Sequence, residues 1–334
     1  MKKHGECGGQ GRPSASFCVL PTLGLLLGTW LVAADDQVPS PEAFRVQTAL
    51  VNVPVIVTDA QGRYIPGLEA KDFRLYQDGL PEPVTLFAAV QEPIQVALLL
   101  DTSKSTVPVL KKIKKAAANF LQQLRPQDRA MVITFDSDIE LACYLTEDRR
   151  ELQRALQAVQ VGRSVGTRMR DALLDTSNRR LQRTQGRRAI VILTDGQDNG
   201  SQITAPALLD FAAGSDIPIY SVFYRVDPRE LAKKLFGVSI SSPKTGRRGW
   251  EKREEEAAAY MEKISDFSAG RFYRSGVDDL KTTFAQVAEE LRHQYLLGFY
   301  PRKEKLDGKA HALRVEVNRP DVQLRARSSY KTGQ

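Results

Sequence analysis

The seven residues from Ile94 to Leu100 read Ile-Gln-Val-Ala-Leu-Leu-Leu, six of them apolar, and run into Asp101-Thr-Ser-Lys-Ser. An apolar run that does not alternate predicts a short strand buried on both faces, as in a parallel sheet covered by helices. Behind it come one carboxylate and two hydroxyls at alternate positions, Asp101, Ser103 and Ser105. A helix is expected from near Thr106. The three oxygens therefore occupy a loop at the carboxyl end of a central strand, where open α/β sheets place their ligands. Oxygen donors suit Mg²⁺, Mn²⁺ or Ca²⁺ rather than zinc. On these residues alone a helix cap is an equal reading, since Asp, Ser and Thr cap strand-to-helix turns in any case.

The rhythm after this strand is α/β. Val107, Leu110, Ile113, Ala117, Phe120 and Leu124 recur every three to four residues, an amphipathic helix with Lys111, Lys112, Lys114 and Lys115 turned mostly outward. Buried strands are predicted over 130–135, 189–193 and 217–223, an antiparallel edge strand over 139–145, and helices over 149–159 and 205–213. Residues 225–253 interrupt the pattern with nine Lys or Arg around Ser241-Ser242-Pro243, and read as a long, basic, mobile loop. A helix over 254–267, a short strand over 270–273 and a last helix carrying Val277, Leu280, Phe284, Val287 and Leu291 complete a doubly wound, mostly parallel sheet spanning 93–294.

Both flanks are β. Val51, Val53, Val55 and Val57 alternate, two more strands follow within 44–92, and three strands are expected over 295–334. Three strands are too few to stand alone. The economical arrangement is one small β-sandwich built from both flanks, with the α/β domain inserted between them.

Residues 1–34 read as a signal peptide: Lys2, Lys3 and Arg12, then the apolar 17–34 ending in Val32-Ala33-Ala34 before Asp35. This predicts export, to a secreted or periplasmic location, with an uncleaved membrane anchor over 17–34 as the alternative; 35–43 is a linker. Cleavage would leave Cys143 as the one cysteine, so the core rather than a disulfide holds the fold. Cys143 lies in Ile139-Glu-Leu-Ala-Cys-Tyr-Leu and is expected to be a buried thiol. The formal charge of +8 is spread along the chain and is not the footprint of a nucleic-acid binder.

Two further stretches change the weight of the first. Gly166-Thr167-Arg-Met-Arg-Asp171 is a loop entering a helix, and Leu193-Thr-Asp195-Gly196-Gln-Asp198 follows a buried strand. Thr167 and Asp195 can thus reach the sheet edge that carries Asp101. Together these residues resemble the von Willebrand factor A (VWA) domain with its metal-ion-dependent adhesion site, whose pattern is D-x-S-x-S, a Thr in a G-T loop and an Asp in a T-D-G loop. The resemblance implies that Ser103 and Ser105 bind a divalent cation directly. Thr167, Asp101 and Asp195 would act directly or through water, and an Asp or Glu of a partner protein would complete the shell. Mg²⁺ is the first expectation, with Mn²⁺ or Ca²⁺ as alternatives. Lys104 stands where the family often has Gly, and with Arg168 and Arg170 it is a candidate for steering an acidic partner. Asp198 is a candidate supporting group behind the ligands, or a loop cap; Asp171 is expected to open the following helix. A second resemblance, to the bacterial VWFA-related family of exported proteins, rests on Val-Thr-Asp59…Gly62…Ile65-Pro-Gly67…Asp72-Phe…Asp78-Gly79 and on Tyr-Leu-Leu-Gly298-Phe-Tyr-Pro301…Val-Glu-Val-Asn-Arg-Pro320.

The competing class is an enzyme. His293 and His311 are the histidines beyond the leader, and neither lies near the site in sequence. No Ser-His or Cys-His constellation is evident, and a metal hydrolase would need a base beside its metal-bound water. An inert scaffold that keeps the motif is the third reading; metal-dependent binding of a protein is the favoured one.

Overall fold

The computed structural model of the protein describes residues 50–331, apart from 90, 185, 238–243 and 303–306. The expected signal peptide and linker over 1–43 lie outside the described residues. Among the described residues no helix is long and apolar enough to cross a membrane.

The strands are β1 (Val51–Asp59), β2 (Phe73–Gln77), β3 (Leu80–Glu82), β4 (Leu86–Ala88), β5 (Ile94–Asp101), β6 (Arg129–Phe135), β7 (Ile139–Thr146), β8 (Arg187–Thr194), β9 (Ile219–Tyr224), β10 (Phe272–Ser275), β11 (Tyr295–Phe299), β12 (Ala310–Val317), β13 (Val322–Ala326) and β14 (Ser329–Lys331). The helices are α1 (Leu110–Gln123), α2 (Arg149–Ala158), α3 (Met169–Asp175), α4 (Ala205–Gly214), α5 (Pro228–Phe236), α6 (Lys244–Phe267) and α7 (Leu280–Arg292).

A six-stranded sheet in the order β10-β9-β8-β5-β6-β7 forms the α/β domain. Five strands are parallel, and the edge strand β7 runs antiparallel to β6. The sheet buries one core on each face. Leu98 and Leu100 pack with Phe120 and Phe284 from α1 and α7, while Leu99 and Ile192 pack with Leu173, Leu208 and Met261 from α3, α4 and α6. This is why the strand at Ile94 shows no polar alternation: helices cover both of its faces. Cys143 is buried on β7 as a free thiol, and burial raises its pKa.

The flanks interleave. One sheet runs β13-β1-β11-β4 and the other β14-β12-β2-β3, all antiparallel, each mixing strands from both ends of the chain. Val53 pairs with Leu297, Val55 with Ala326 and Leu75 with Val315, and the facing sheets enclose Phe73, Tyr295, Phe299 and Tyr330. The sandwich meets the α/β domain near the amino ends of β8 and β9. There Asn52 Nδ2 donates to Asp216 Oδ2 at 2.8 Å, Arg188 pairs with the same carboxylate, and Arg327 Nη1 donates to the Gly214 carbonyl at 3.2 Å. Arg187, almost wholly buried, donates to the carbonyls of Glu92 and Leu291, clamping the points where the chain enters and leaves the α/β domain. On the same side Glu290 of α7, fully buried, takes Arg325, Arg271 Nη1 (3.1 Å), Tyr64 Oη (3.4 Å) and Tyr273 Oη (3.3 Å).

Two expectations are corrected. The helix after Ser105 begins at Leu110, preceded by a single 3₁₀ turn over Lys104–Thr106, in which the Thr106 N–H and hydroxyl both donate to the Ser103 carbonyl. The basic stretch 225–253 is not one long loop. Asp227 caps α5, accepting from the Arg229 N–H at 2.8 Å, and Gly237 ends the helix in the left-handed region at φ 67°. Lys233 and Lys234 are the solvent face of that helix, while Leu231 packs on the core.

Candidate functional site

Asp101 ends β5 wholly buried. Its Oδ1 accepts from the Ser103 N–H at 2.9 Å and its Oδ2 from Thr194 Oγ1 at 2.7 Å. Asp195, the residue after Thr194, is also buried, and its Oδ1 accepts from the Gln197 N–H at 3.1 Å. Ser103 Oγ and Ser105 Oγ lie 2.9 Å apart, and Ser105 is close enough to the Asp195 carboxylate to lower its pKa. Four of the five expected ligand residues are thus linked at the carboxyl ends of two adjacent parallel strands, β5 and β8. Thr167, also buried, joins them through its backbone: its N–H donates to Asn199 Oδ1 at 2.8 Å, and its carbonyl accepts from the N–H groups of Asn199 and Gly200. The G-T loop is therefore strapped to the loop that carries Asp195.

The electrostatics are those of two carboxylates confined together. Burial, and then the charge of Asp195, raise the Asp101 pKa, against the hydrogen bonds from Ser103 and Thr194. Burial raises Asp195 too, against the effect of Ser105 and the bond from Gln197. Among the described residues neither carboxylate has a Lys or Arg ion-pair partner. Nearby, Tyr224 Oη at the end of β9 is fully buried and makes no hydrogen bond among the described residues, and the charges of Asp101 and Asp195 act on it. Close approach is built into the backbone. Gly196 has φ 74°, and a Cβ there would lie 3.1 Å from the Phe223 ring.

The residues proposed to steer a ligand divide. Lys104 is half-buried and, among the described residues, paired with no carboxylate. Arg168 and Arg170 are not free charges. Arg168 pairs with Asp171 at 2.8 Å, and Arg170 donates from Nε to the Ile203 carbonyl at 2.8 Å and pairs with Asp198 at 3.2 Å. Asp198 is a loop staple rather than a support behind the ligands. Its oxygens receive the Arg170 N–H and guanidinium and the Ser201 N–H and hydroxyl, which uses the acceptor sites of a carboxylate. Asp171 receives the N–H groups of Gln202 and Ile203 as well as Arg168.

Two participants were not singled out from sequence. Thr194 holds Asp101 and accepts from the Gly196 N–H at 3.0 Å; its signal was its place directly before Asp195. Asp136 follows β6 as Asp101 ends β5, and its carboxylate takes Thr102 Oγ1 at 3.0 Å and the Asp138 N–H at 3.1 Å. It organises the neighbouring loop, and only a glycine at 162 leaves it room: a Cβ there would lie 1.9 Å from Asp136 Oδ2.

The α/β unit is a von Willebrand factor type A domain: residues 96–197 match the model of that family and include Asp101, Ser103, Ser105, Thr167 and Asp195. No curated protein matches the chain by sequence. Similar solved structures include the conserved hypothetical protein BatB from Bacteroides thetaiotaomicron, 16% identical over 59% of this chain and 97% of that one, with a TM-score of 0.44. A von Willebrand factor type A protein from Catenulispora acidiphila is 11% identical over 87% of this chain and 76% of that one, TM-score 0.45. Proximal thread matrix protein 1 from the mussel byssus, solved with a zinc-occupied MIDAS motif, is 14% identical over 65% of this chain and 50% of that one, TM-score 0.47.

Proposed function

We propose that this chain is a metal-dependent protein-binding module. A divalent cation, Mg²⁺ before Mn²⁺ or Ca²⁺, would be held by Ser103 and Ser105 with Asp101, Asp195 and Thr167, and would take an Asp or Glu of a partner protein. The observation that carries the reading is the pair of buried carboxylates, Asp101 and Asp195, set among hydroxyls and, among the described residues, without a Lys or Arg partner. Buried charge of one sign is tolerated where a proton or a cation neutralises it. The orphaned Tyr224 hydroxyl beside them also fits a polar group at this point. The donors are all oxygen, which suits a hard cation that keeps waters in its shell. Bound there, the cation would supply an electrophilic position for a carboxylate; Lys104 would add attraction at the rim.

The reading is of a binder rather than an enzyme. His293 stacks on Tyr64 at 4.7 Å, with Nδ1 2.8 Å from the Glu289 carbonyl, and His311 lies between Asp78 and Asp307 in the sandwich. Export by the N-terminal segment belongs to the same proposal. Titration calorimetry of the full chain with Mg²⁺ is expected to show one site of modest affinity, absent in Asp101→Ala. Equal heats from wild type and Asp101→Ala would overturn it.

A further inference from the structure

Beside Ser105 and Asp195 a cavity of about 90 Å³ opens between the end of β9 and the wall made by α5 and α6. Its lining joins the polar Ser105, Asp195 and Tyr224 to the apolar Val226, Leu231 and Trp250. The wall is braced without a ligand. Arg225 pairs with Glu254 of α6 at 3.1 Å, and its guanidinium lies over the Trp250 ring at 5.4 Å. Arg253 is exposed at the cavity, while the charge of Arg225 is met by Glu254, so Arg253 is the cation left at its mouth among the described residues.

From this we infer that the domain reads two neighbouring side chains of its partner, an acidic one at the Asp101/Asp195 site and an aliphatic one in the slot lined by Val226, Leu231 and Trp250. The inference rests on the metal-dependent reading and adds a sequence preference to it. Tyr224 lines the cavity, and its buried hydroxyl has no hydrogen-bond partner among the described residues; in the proposed contact it turns to the second oxygen of the partner carboxylate. The size of the slot sets the aliphatic choice: an apolar cavity of about 150 Å³ accepts benzene, so this smaller one suits Val, Leu or Ile better than Phe. Basic charge at the mouth complements the acidic neighbour. The stretch that interrupts the α/β pattern thus supplies a specificity wall.

The test is an array of immobilised synthetic peptides with a central Asp or Glu and varied neighbours, probed with the full chain in Mg²⁺ and in EDTA. The expected result is Mg²⁺-dependent capture that prefers Val, Leu or Ile beside the acid by about tenfold over Gly. Leu231→Ala should lose the aliphatic preference and keep the Mg²⁺-dependent demand for an acid. Tyr224→Phe should bind about tenfold more weakly at unchanged or higher melting temperature, because it removes an unsatisfied buried hydroxyl. That combination separates a ligand contact from a structural role, and it holds even where Leu231→Ala loosens α5. Mg²⁺-dependent capture of acidic peptides without a neighbour preference, or with a preference for Phe, overturns the slot and leaves the metal reading standing. Aliphatic capture that ignores EDTA and the acid overturns the metal reading and with it the two-point contact. No capture in Mg²⁺ overturns both.

Discussion

The α/β domain and the sandwich bury comparable kinds of side chain but handle buried charge in opposite ways. In the sandwich and at its seam the buried Glu290 takes Arg325 and Arg271, His311 lies between Asp78 and Asp307, each 2.9 Å away, and the buried Arg187 and Arg327 donate to backbone carbonyls. At the carboxyl ends of β5 and β8 two buried carboxylates face each other among hydroxyls. The first pattern is what stability selects. The second costs stability and makes sense as a site that a ligand completes. The two regions also differ in how they are closed: the α/β sheet is continuous in sequence, while the sandwich is assembled from both ends around it and held at the crossing by Arg187.

The largest way to break this comparison is at the clamp. Arg187→Ala removes the donor to the carbonyls of Glu92 and Leu291 and leaves a cavity, so it is expected to cost about 3 kcal/mol, and urea unfolding should change from one transition towards two as the sandwich separates from the α/β domain. A single transition with an unchanged midpoint would mean the clamp is not what joins them. A smaller change of opposite sign is expected at the site. Asp101→Asn keeps the shape and removes one of two facing buried charges, so the metal-free protein should gain about 1–2 kcal/mol at neutral pH, read as a higher melting temperature in EDTA, while Mg²⁺ no longer raises it. Loss of stability in EDTA would show that the two carboxylates are not in conflict.

The sandwich should answer to pH through His311. Burial opposes its charge, but the hydrogen bonds and charges of Asp78 and Asp307 outweigh it and raise its pKa above 6.5. The stabilisation is therefore fully present below about pH 6.5 and is lost as pH rises through the higher folded value. His311→Gln should remove about 1 kcal/mol at pH 6 and little at pH 9, measured as the difference in urea midpoints; a pH-independent difference would mean that packing, not charge, is what the substitution changes. The smallest effect on stability is expected from Lys104→Glu, within about 0.5 kcal/mol. Its effect should appear instead as slower Mg²⁺-dependent association with an acidic peptide, more so at low salt. An association rate that ignores salt and the substitution would take Lys104 out of the site.

Much of the site was legible because its donors are local. Asp101, Ser103 and Ser105 alternate on one turn after an apolar strand, and Asp195 ends a second such strand; strand ends are readable from apolar runs, and the parallel fold puts them on one edge. Arg168 and Arg170 were misread for different reasons. The partner of Arg168, Asp171, stands three residues ahead, the spacing of a helical ion pair, and could have been recognised. The partners of Arg170, Asp198 and the Ile203 carbonyl, arrive from a loop in another part of the chain. In the stretch 225–253 the count of basic residues outweighed the capping Asp227 and the terminating Gly237, which mark a helix whatever its charge.

What the sequence by itself determined is most of the elements of the α/β domain, though not α5, and the chemistry of the loop after β5, because periodicity, caps and turn residues act over a few positions. It also implied that neither β flank is complete alone. Only the tertiary structure decided that the flanks interleave as β13-β1-β11-β4, that Arg187 bridges the carbonyls of Glu92 and Leu291, and that of three candidate cations beside the site Lys104 alone carries no ion pair among the described residues. The reason is that an alternating strand presents the same edge to any neighbour, and a charge is free or spent according to which carboxylate the fold brings within reach. Both are settled between segments far apart in the chain, by packing that no local pattern encodes.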